Sequence, residues 1–226
     1  MNTYDIDKAF AEHIPCWGDI TENDRLYLCE NTRLLSFKRG ETVHDGNECT
    51  GVFFIKSGCL RVYILSDEGR EVTLYRLFPG DICMLSASCV LQAITFDVVI
   101  DSEDDTECLL IPAGPFGNVS DNVDVLKLYA QDVALTRFSE VMWVFQQILF
   151  MSFDRRLAIF LYEESSNTGN DTIKLTHEQI AKYMGSAREV VSRMLKYFRA
   201  DGIVELSRGG ITIIDKKKLK NLALEH

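Results

Sequence analysis

No run in this chain is long and apolar enough to read as a membrane span. The most apolar stretch, Val141 to Met151, is broken by two glutamines and is too short to cross about 30 Å of hydrocarbon. The segment MNTYDIDKAFAEHIP carries Asp5, Asp7 and Glu12 and no apolar centre. It reads as neither a secretory signal nor an Arg-rich transit peptide, so a cytoplasmic protein with no membrane partner is expected. Glycine, at 14 residues, is too scarce for a collagen-like chain, and 46% hydrophobic residues is too many for a disordered one. Neither internal repeats nor low-complexity segments are visible. There is no C-x2-C pair, and cysteine stops at Cys108. Seven cysteines, an odd number without an export signal, point to reduced thiols rather than a disulfide framework. From Leu77 through Leu126 there is no lysine or arginine against nine Asp or Glu.

What is present divides by position. The net charge of −10 argues against a general polyanion binder. However, residues 1–153 hold 11 basic and 24 acidic residues, whereas 154–226 hold 13 basic and 10 acidic, so the two parts carry −13 and +3. A length of 226 residues allows two cores. From about Leu34 to Pro112, short runs rich in Val, Ile, Phe, Tyr and Thr alternate with glycine turns, as in Gly51 to Ile55, Leu60 to Leu65 and Val72 to Leu77. The pattern is that of an antiparallel β-roll, with Phe53, Phe54, Tyr63, Tyr75, Phe78 and Phe96 as its core and helical fragments near Glu22 to Cys29 and Cys83 to Leu91. Residues 122–150 change to helical period and carry two apolar stripes. Leu128, Leu135, Phe138, Met142, Phe145 and Leu149 form one, and Leu126, Val133, Val141, Val144 and Ile148 the other. A helix apolar on two faces needs two partners, so the roll and a second copy of the chain are expected to cover one stripe each.

Beyond Phe153, the sequence implies a linking helix over Asp154 to Glu164, a polar loop Ser165 to Asn170, two helices joined at a turn, and a hairpin folded at Gly209-Gly210. Thr176 is a good N-cap for His177 to Met184, Gly185 supplies a turn residue, and Ser186 is positioned to cap a helix running from Ala187 to Ala200. Ala181, Gly185 and Val191 stand where a helix-turn-helix wants a small residue, a turn residue and a β-branched core residue. At 100° per residue, Val191, Met194, Leu195 and Phe198 share one side of the second helix, and Glu189, Ser192, Arg193 and Lys196 the other. Arginine can donate two hydrogen bonds to guanine, glutamate can accept from cytosine N4, and serine serves either base. That face is therefore read as a major-groove reader, with Arg188 beside it. Arg199, Arg208, Lys216, Lys217, Lys218 and Lys220 are candidates for phosphate contacts.

Over roughly Asp19 to Leu222, and most specifically through Gly185-Ser186-Ala187-Arg188-Glu189-Val190-Val191-Ser192-Arg193, the chain resembles the Crp/Fnr transcription regulators. The resemblance implies an α+β protein in three parts. They are an N-terminal, jelly-roll-like antiparallel β-roll sensor domain of the cyclic-nucleotide-binding type (residues 1–121), a long dimerisation helix (122–151), and a C-terminal winged helix-turn-helix domain (152–226). It implies no enzymatic activity, and a homodimer on double-stranded DNA that reads a TGA-containing inverted repeat through Arg188, Glu189, Ser192, Arg193 and Lys196, with RNA polymerase as a further partner. The alternative is a cyclic-nucleotide-binding regulatory module. In members that bind cyclic AMP, a Gly-Glu pair is followed by an Arg-Ser or Arg-Thr pair that holds the phosphate. Here Gly80-Asp81 is followed by Ile94-Thr95-Phe96, which would leave a desolvated phosphate unpaired. Fnr-like sensors group cysteines near the N-terminus for an iron-sulfur cluster, but here only Cys16 and Cys29 lie there. The remaining sensor options are a non-standard cluster on Cys16, Cys29, Cys83 and Cys89, a redox thiol at Cys83 or Cys89, haem held by His13, His44, Cys or Met, and an apolar ligand. Small apolar core cysteines are the favoured reading, and no cofactor is assigned.

Overall fold

The computed structural model describes residues 2–45, 50–84 and 98–224. The chain divides into two compact units, residues 1–65 with 74–141 and residues 66–73 with 142–226.

The first unit opens with helix α1 (Thr3–His13), a 3-10 turn (Trp17–Asp19) and α2 (Glu22–Asn31). Eight strands follow: β1 (Arg33–Phe37), β2 (Thr42–His44), β3 (Gly51–Ser57), β4 (Leu60–Leu65), β5 (Glu71–Leu77), β6 (Ile82–Cys83), β7 (Val99–Ser102) and β8 (Thr106–Pro112). They make two four-stranded sheets in the orders β1-β8-β3-β6 and β2-β7-β4-β5. In the first sheet, β8 is paired antiparallel on both sides, Leu110 lying opposite Arg33 of β1 and Phe53 of β3. Strands β3 and β8 of this sheet are covered on both faces, whereas the edge strand β1 is largely exposed. Phe53, Ile55, Cys108 and Leu110 join Leu60, Val62, Leu77 and Ile100 in the core between the sheets. Val52, Phe54, Leu109 and Ile111 instead pack with Phe10, Trp17 and Leu28 of the N-terminal helices. A strand covered on both faces has no polar side to show, which is why Gly51 to Ile55 reads as a continuous apolar run. Helix α3 (Ala113–Ser120) leads from β8 into α4 (Asp124–Phe150), the 27-residue helix.

Helix α4 treats its two stripes differently. Leu126 is buried, Val133 packs against the helical core and Val141 against the roll core, but Ile148 of the same stripe is exposed, so the cover expected for this stripe stops short of its end. Leu128, Leu135, Phe138, Met142, Phe145 and Leu149 are all exposed, 63% for Leu128 and 65% for Leu135.

The second unit holds α5 (Phe153–Thr168), β9 (Thr172–Ile173), α6 (His177–Met184), α7 (Arg188–Ala200), β10 (Val204–Ser207), β11 (Gly210–Ile213) and α8 (Lys216–Leu224). The strands form a small sheet in the order β10-β11-β9. One core gathers Leu157 and Leu161 of α5, Ile180 of α6, Leu195 and Phe198 of α7, and Leu219 of α8. The hairpin turn requires glycine at 210, where φ is +137° and a Cβ would lie 2.3 Å from the Ile173 carbonyl oxygen.

Several local expectations change. Cys83 lies in a strand, not at the start of a helix, and the rest of the helix expected to Leu91 lies outside the described residues, as do Cys49, Cys89 and the Ile94-Thr95-Phe96 segment. Phe78 is exposed at a turn rather than in the core. Helix α5 runs on through Ser165 and Ser166, where a polar loop was expected. Ser166 and Thr168 turn their hydroxyls back onto the carbonyls of Tyr162 and Glu164, and the chain leaves the helix at Gly169, φ +63°.

Candidate nucleic-acid interface

Helix α6 begins at Thr176 through a reciprocal cap. The Thr176 hydroxyl accepts from the Gln179 backbone N–H at 3.1 Å, and the Thr176 N–H donates to the Gln179 side-chain oxygen at 2.8 Å. The helix ends at Gly185, φ +59°, where the Ser186 N–H returns to the Ala181 carbonyl at 2.9 Å. Ser186 does not cap α7. The N-cap is Ala187, whose φ of −83° and ψ of 145° set the entry geometry without a side-chain bond, and the first helical residue is Arg188.

In α7, Val191, Leu195 and Phe198 are buried and Met194 packs beside them. Arg188, Glu189, Arg193 and Lys196 are exposed and Ser192 is half-buried along the opposite face. The five residues nominated from sequence therefore share one surface of one helix. Tyr197 lies on the solvent side as well, 57% exposed. Its i+4 spacing from Arg193 was the signal available for it. His177, in the first turn of α6, is half-buried. Burial and then the positive charges of Arg188 and Lys196 hold its pKa below the usual histidine value.

A cleft of about 200 Å³ separates the start of α6 from the β10-β11 hairpin, lined in part by Lys174, Thr176, His177, Ser207 and Arg208. The lysine run is helical rather than extended. Lys216 reaches Asp171 at 2.5 Å, Lys218 donates to the Asp201 carbonyl at 3.3 Å, and Leu219 ties α8 into the core.

The roll carries its own polar cluster. Arg137 of α4 donates to both carboxylate oxygens of Glu140, at 3.0 and 2.9 Å, and to Asp81 at 3.2 Å, with its guanidinium 5.0 Å from the centre of the Tyr75 ring. Burial pulls the Arg137 pKa down, but the Glu140 hydrogen bond and the Glu140 and Asp81 charges more than offset it, and the value is raised. Asp81 of the Gly80-Asp81 pair is thus engaged by a cation from the long helix.

Among the described residues no three His, Cys, Asp or Glu side chains converge to hold a metal. Cys16 and Cys29 belong with the helical core, and Cys83 with the core between the sheets. Burial pushes the Cys29 and Cys108 thiols up to about 12 and raises Cys59 further. His44, one of the candidate haem ligands, is buried in β2, its Nδ1 2.9 Å from the Thr50 hydroxyl. No helix among the described residues is long and apolar enough to cross a membrane.

A β-roll, a long helix with one bare apolar face and a compact helix-turn-helix with a hairpin wing define a DNA-binding transcription regulator. Comparison with known proteins agrees. Residues 155–222 match the Crp-like helix-turn-helix domain, and residues 34–122 the cyclic nucleotide-binding domain. A solved Crp/Fnr-family structure from Eubacterium rectale is 46% identical, covers 95% of this chain and 100% of its own, and superposes with a TM-score of 0.90. The nitrogen fixation regulation protein FixK of Bradyrhizobium diazoefficiens is 27% identical over 201 residues, 84% of this chain and 82% of its own length. The transcriptional activator protein FnrA of Stutzerimonas stutzeri is 24% identical over 195 residues, 82% and 78% of the two chains. The chain belongs to the Crp/Fnr family of transcription regulators.

Proposed function

We propose that the protein is a non-enzymatic, homodimeric, sequence-specific regulator working in the cytoplasm. In this reading the roll (residues 1–121) receives a signal, residues 122–151 pair with a second copy, and residues 152–226 read a TGA-containing inverted repeat, with RNA polymerase as the next partner. The observation that carries the reading is α7. Its buried side is committed to Val191, Leu195 and Phe198, and Arg188, Glu189, Ser192, Arg193 and Lys196 form the other side. Arg193 is the guanine reader, Glu189 accepts from a cytosine amine, Ser192 takes the adjoining base, and Arg188 and Lys196 contribute to register and affinity. The exposed stripe of α4 supports the dimer, because a contiguous apolar face of this kind marks an interaction surface. The helix is continuous from the Arg137 cluster to Phe150, so a signal that repacks the roll against it changes the spacing of two reading helices.

The signal in this reading is not a cyclic nucleotide. No Lys or Arg occurs from Leu77 through Leu126, and the Arg137 guanidinium is already shared by two carboxylates. The domain match over residues 34–122 keeps the cyclic-nucleotide alternative in view. Calorimetry with cyclic AMP and cyclic GMP decides it, and no heat of binding is expected. The DNA reading is tested by fluorescence anisotropy on a TTGAT…ATCAA duplex and a scrambled duplex at fixed salt. Arg193→Ala is expected to lose about 1 to 3 kcal/mol on the repeat. Equal loss on both duplexes would reduce Arg193 to a phosphate contact.

A further inference from the structure

We propose that the cleft between the start of α6 and the β10-β11 wing seats one phosphodiester of the DNA backbone, and that His177 is a ligand that takes up a proton from solvent when that phosphate arrives. The inference rests on the DNA-binding reading above and adds to it a phosphate site and a proton linkage.

The charged groups around the cleft are of one sign. Lys174 enters from the segment before α6 and Arg208 from the wing, and no acidic side chain lines it. Arg188 and Lys196 act on His177 from α7, across the turn, and Glu178 follows it in the first turn of α6. Ser207 is occupied locally, accepting from the Gly209 N–H at 3.1 Å and donating to the Gly210 carbonyl at 3.3 Å, which holds the wing turn beside Arg208. His177 is thus a half-buried imidazole under the charges of Arg188 and Lys196, in a cleft that Lys174 and Arg208 also line. Burial first, and then the charges of Arg188 and Lys196, disfavour the imidazolium in the free protein, in keeping with its lowered pKa. A bound phosphodiester reverses the local field, favours the imidazolium and gives it an anion to pair with. A group that binds more protons in the complex than in the free protein makes affinity rise as pH falls.

The test measures the affinity of the full-length protein for the TTGAT…ATCAA duplex and the scrambled duplex between about pH 6 and pH 8, bracketing the ordinary histidine range. The variants are His177→Gln, neutral at every pH, and His177→Arg, charged at every pH. A one-unit rise in the His177 pKa on binding makes the native protein bind more tightly per subunit as pH falls, by about half of a tenfold limit where pH equals the free-protein pKa and by the full tenfold only well below it. The effect appears on both duplexes, because a phosphate contact carries no sequence information. His177→Gln loses this gain and His177→Arg keeps tight binding at the alkaline end. The salt slope of the native protein at the acid end exceeds that of His177→Gln by about 0.9 per subunit. Contributions of groups elsewhere in the protein cancel in the difference between native and variant. An unchanged pH dependence in His177→Gln, with binding intact, overturns the proposal and leaves the DNA reading standing. No binding of either duplex at any pH overturns both. The ring-proton resonance of His177 is also followed with excess inorganic phosphate in place of DNA. A smaller shift than the duplex gives is expected, and an equal shift would make the cleft a free-anion site and overturn its assignment to DNA.

Discussion

The roll and the winged helix use the same cations in opposite ways. In the roll, arginines are largely shielded and paired with carboxylates: Arg61, which is buried, with Asp101 at 3.7 Å, and the half-buried Arg76 with Glu103 at 3.4 Å and Arg137 with Asp81 and Glu140. In the winged helix, Arg188, Arg193 and Lys196 lie exposed on α7, and among the described residues no ion pair engages them. A buried arginine without its carboxylate is costly, so the roll's cations are structural. An exposed and unengaged row of cations costs little in the free protein and is ready for an anionic partner. The excess charge of +3 beyond Phe153 therefore matters through its placement rather than its size.

Five measurements would sharpen or break that contrast. The largest effect is expected on the long helix: Leu135→Asp combined with Met142→Asp places charge in the exposed stripe of α4. Sedimentation should report monomers, and affinity for the repeat should fall by about three orders of magnitude, toward non-specific binding. Next, Leu195→Ala removes a fully buried side chain of the winged helix, at a cost of about 2 to 5 kcal/mol. Denaturation should show the second unit losing stability while the roll's signal is unchanged.

The direct comparison is Arg137→Met against Arg193→Met. The first removes charged hydrogen bonds within the roll, and a loss of about 1 to 3 kcal/mol of stability is expected. The second should stay within about 0.5 kcal/mol of native in stability, as surface substitutions do, and lose its affinity instead. Equal stability losses would erase the distinction. The thiols offer a chemical version. Burial holds Cys29 and Cys108 protonated up to about 12, so at pH 8 a thiol reagent should leave both unlabelled until the protein is unfolded.

The smallest effect belongs to Asp171. Its carboxyl is held below the usual aspartate value by hydrogen bonds from Lys216 and Ser165. A carboxylate depressed in the folded state contributes stability that is present above its unfolded pKa and is lost as pH falls through the folded one. The native protein should therefore lose melting temperature on acidification below that range. Asp171→Asn should lack that portion of the loss.

Much of the winged helix was legible because its constraints are local. Thr176 announces a helix start, Gly185 a turn, and the 3.6-residue period separates Val191, Leu195 and Phe198 from Glu189, Arg193 and Lys196. The same period exposed both stripes of α4. What was missed depends on packing that sequence does not display. Helix α1 was not anticipated, since only Ile6 and Phe10 of its residues are buried. Helix α8 hides behind its lysines, with Leu219 its one buried residue. Ser186 looked like a cap, but the helix begins one residue later, with Ala187 as its N-cap and no side-chain bond. The burial of His44 depends on a partner six residues away, Thr50. That of His177 depends on the fold of the wing, which no local pattern encodes.

The most direct test of the account is selection of the native protein's preferred sequences from a pool of random duplexes at fixed salt. Two α7 helices related by a dimer axis should enrich an inverted repeat with TGA in each half, its half-sites centred about 10 base pairs apart or a multiple of that. Enrichment of a single unpaired half-site, or of no sequence at all, would contradict the claim that this protein reads DNA as a symmetric dimer.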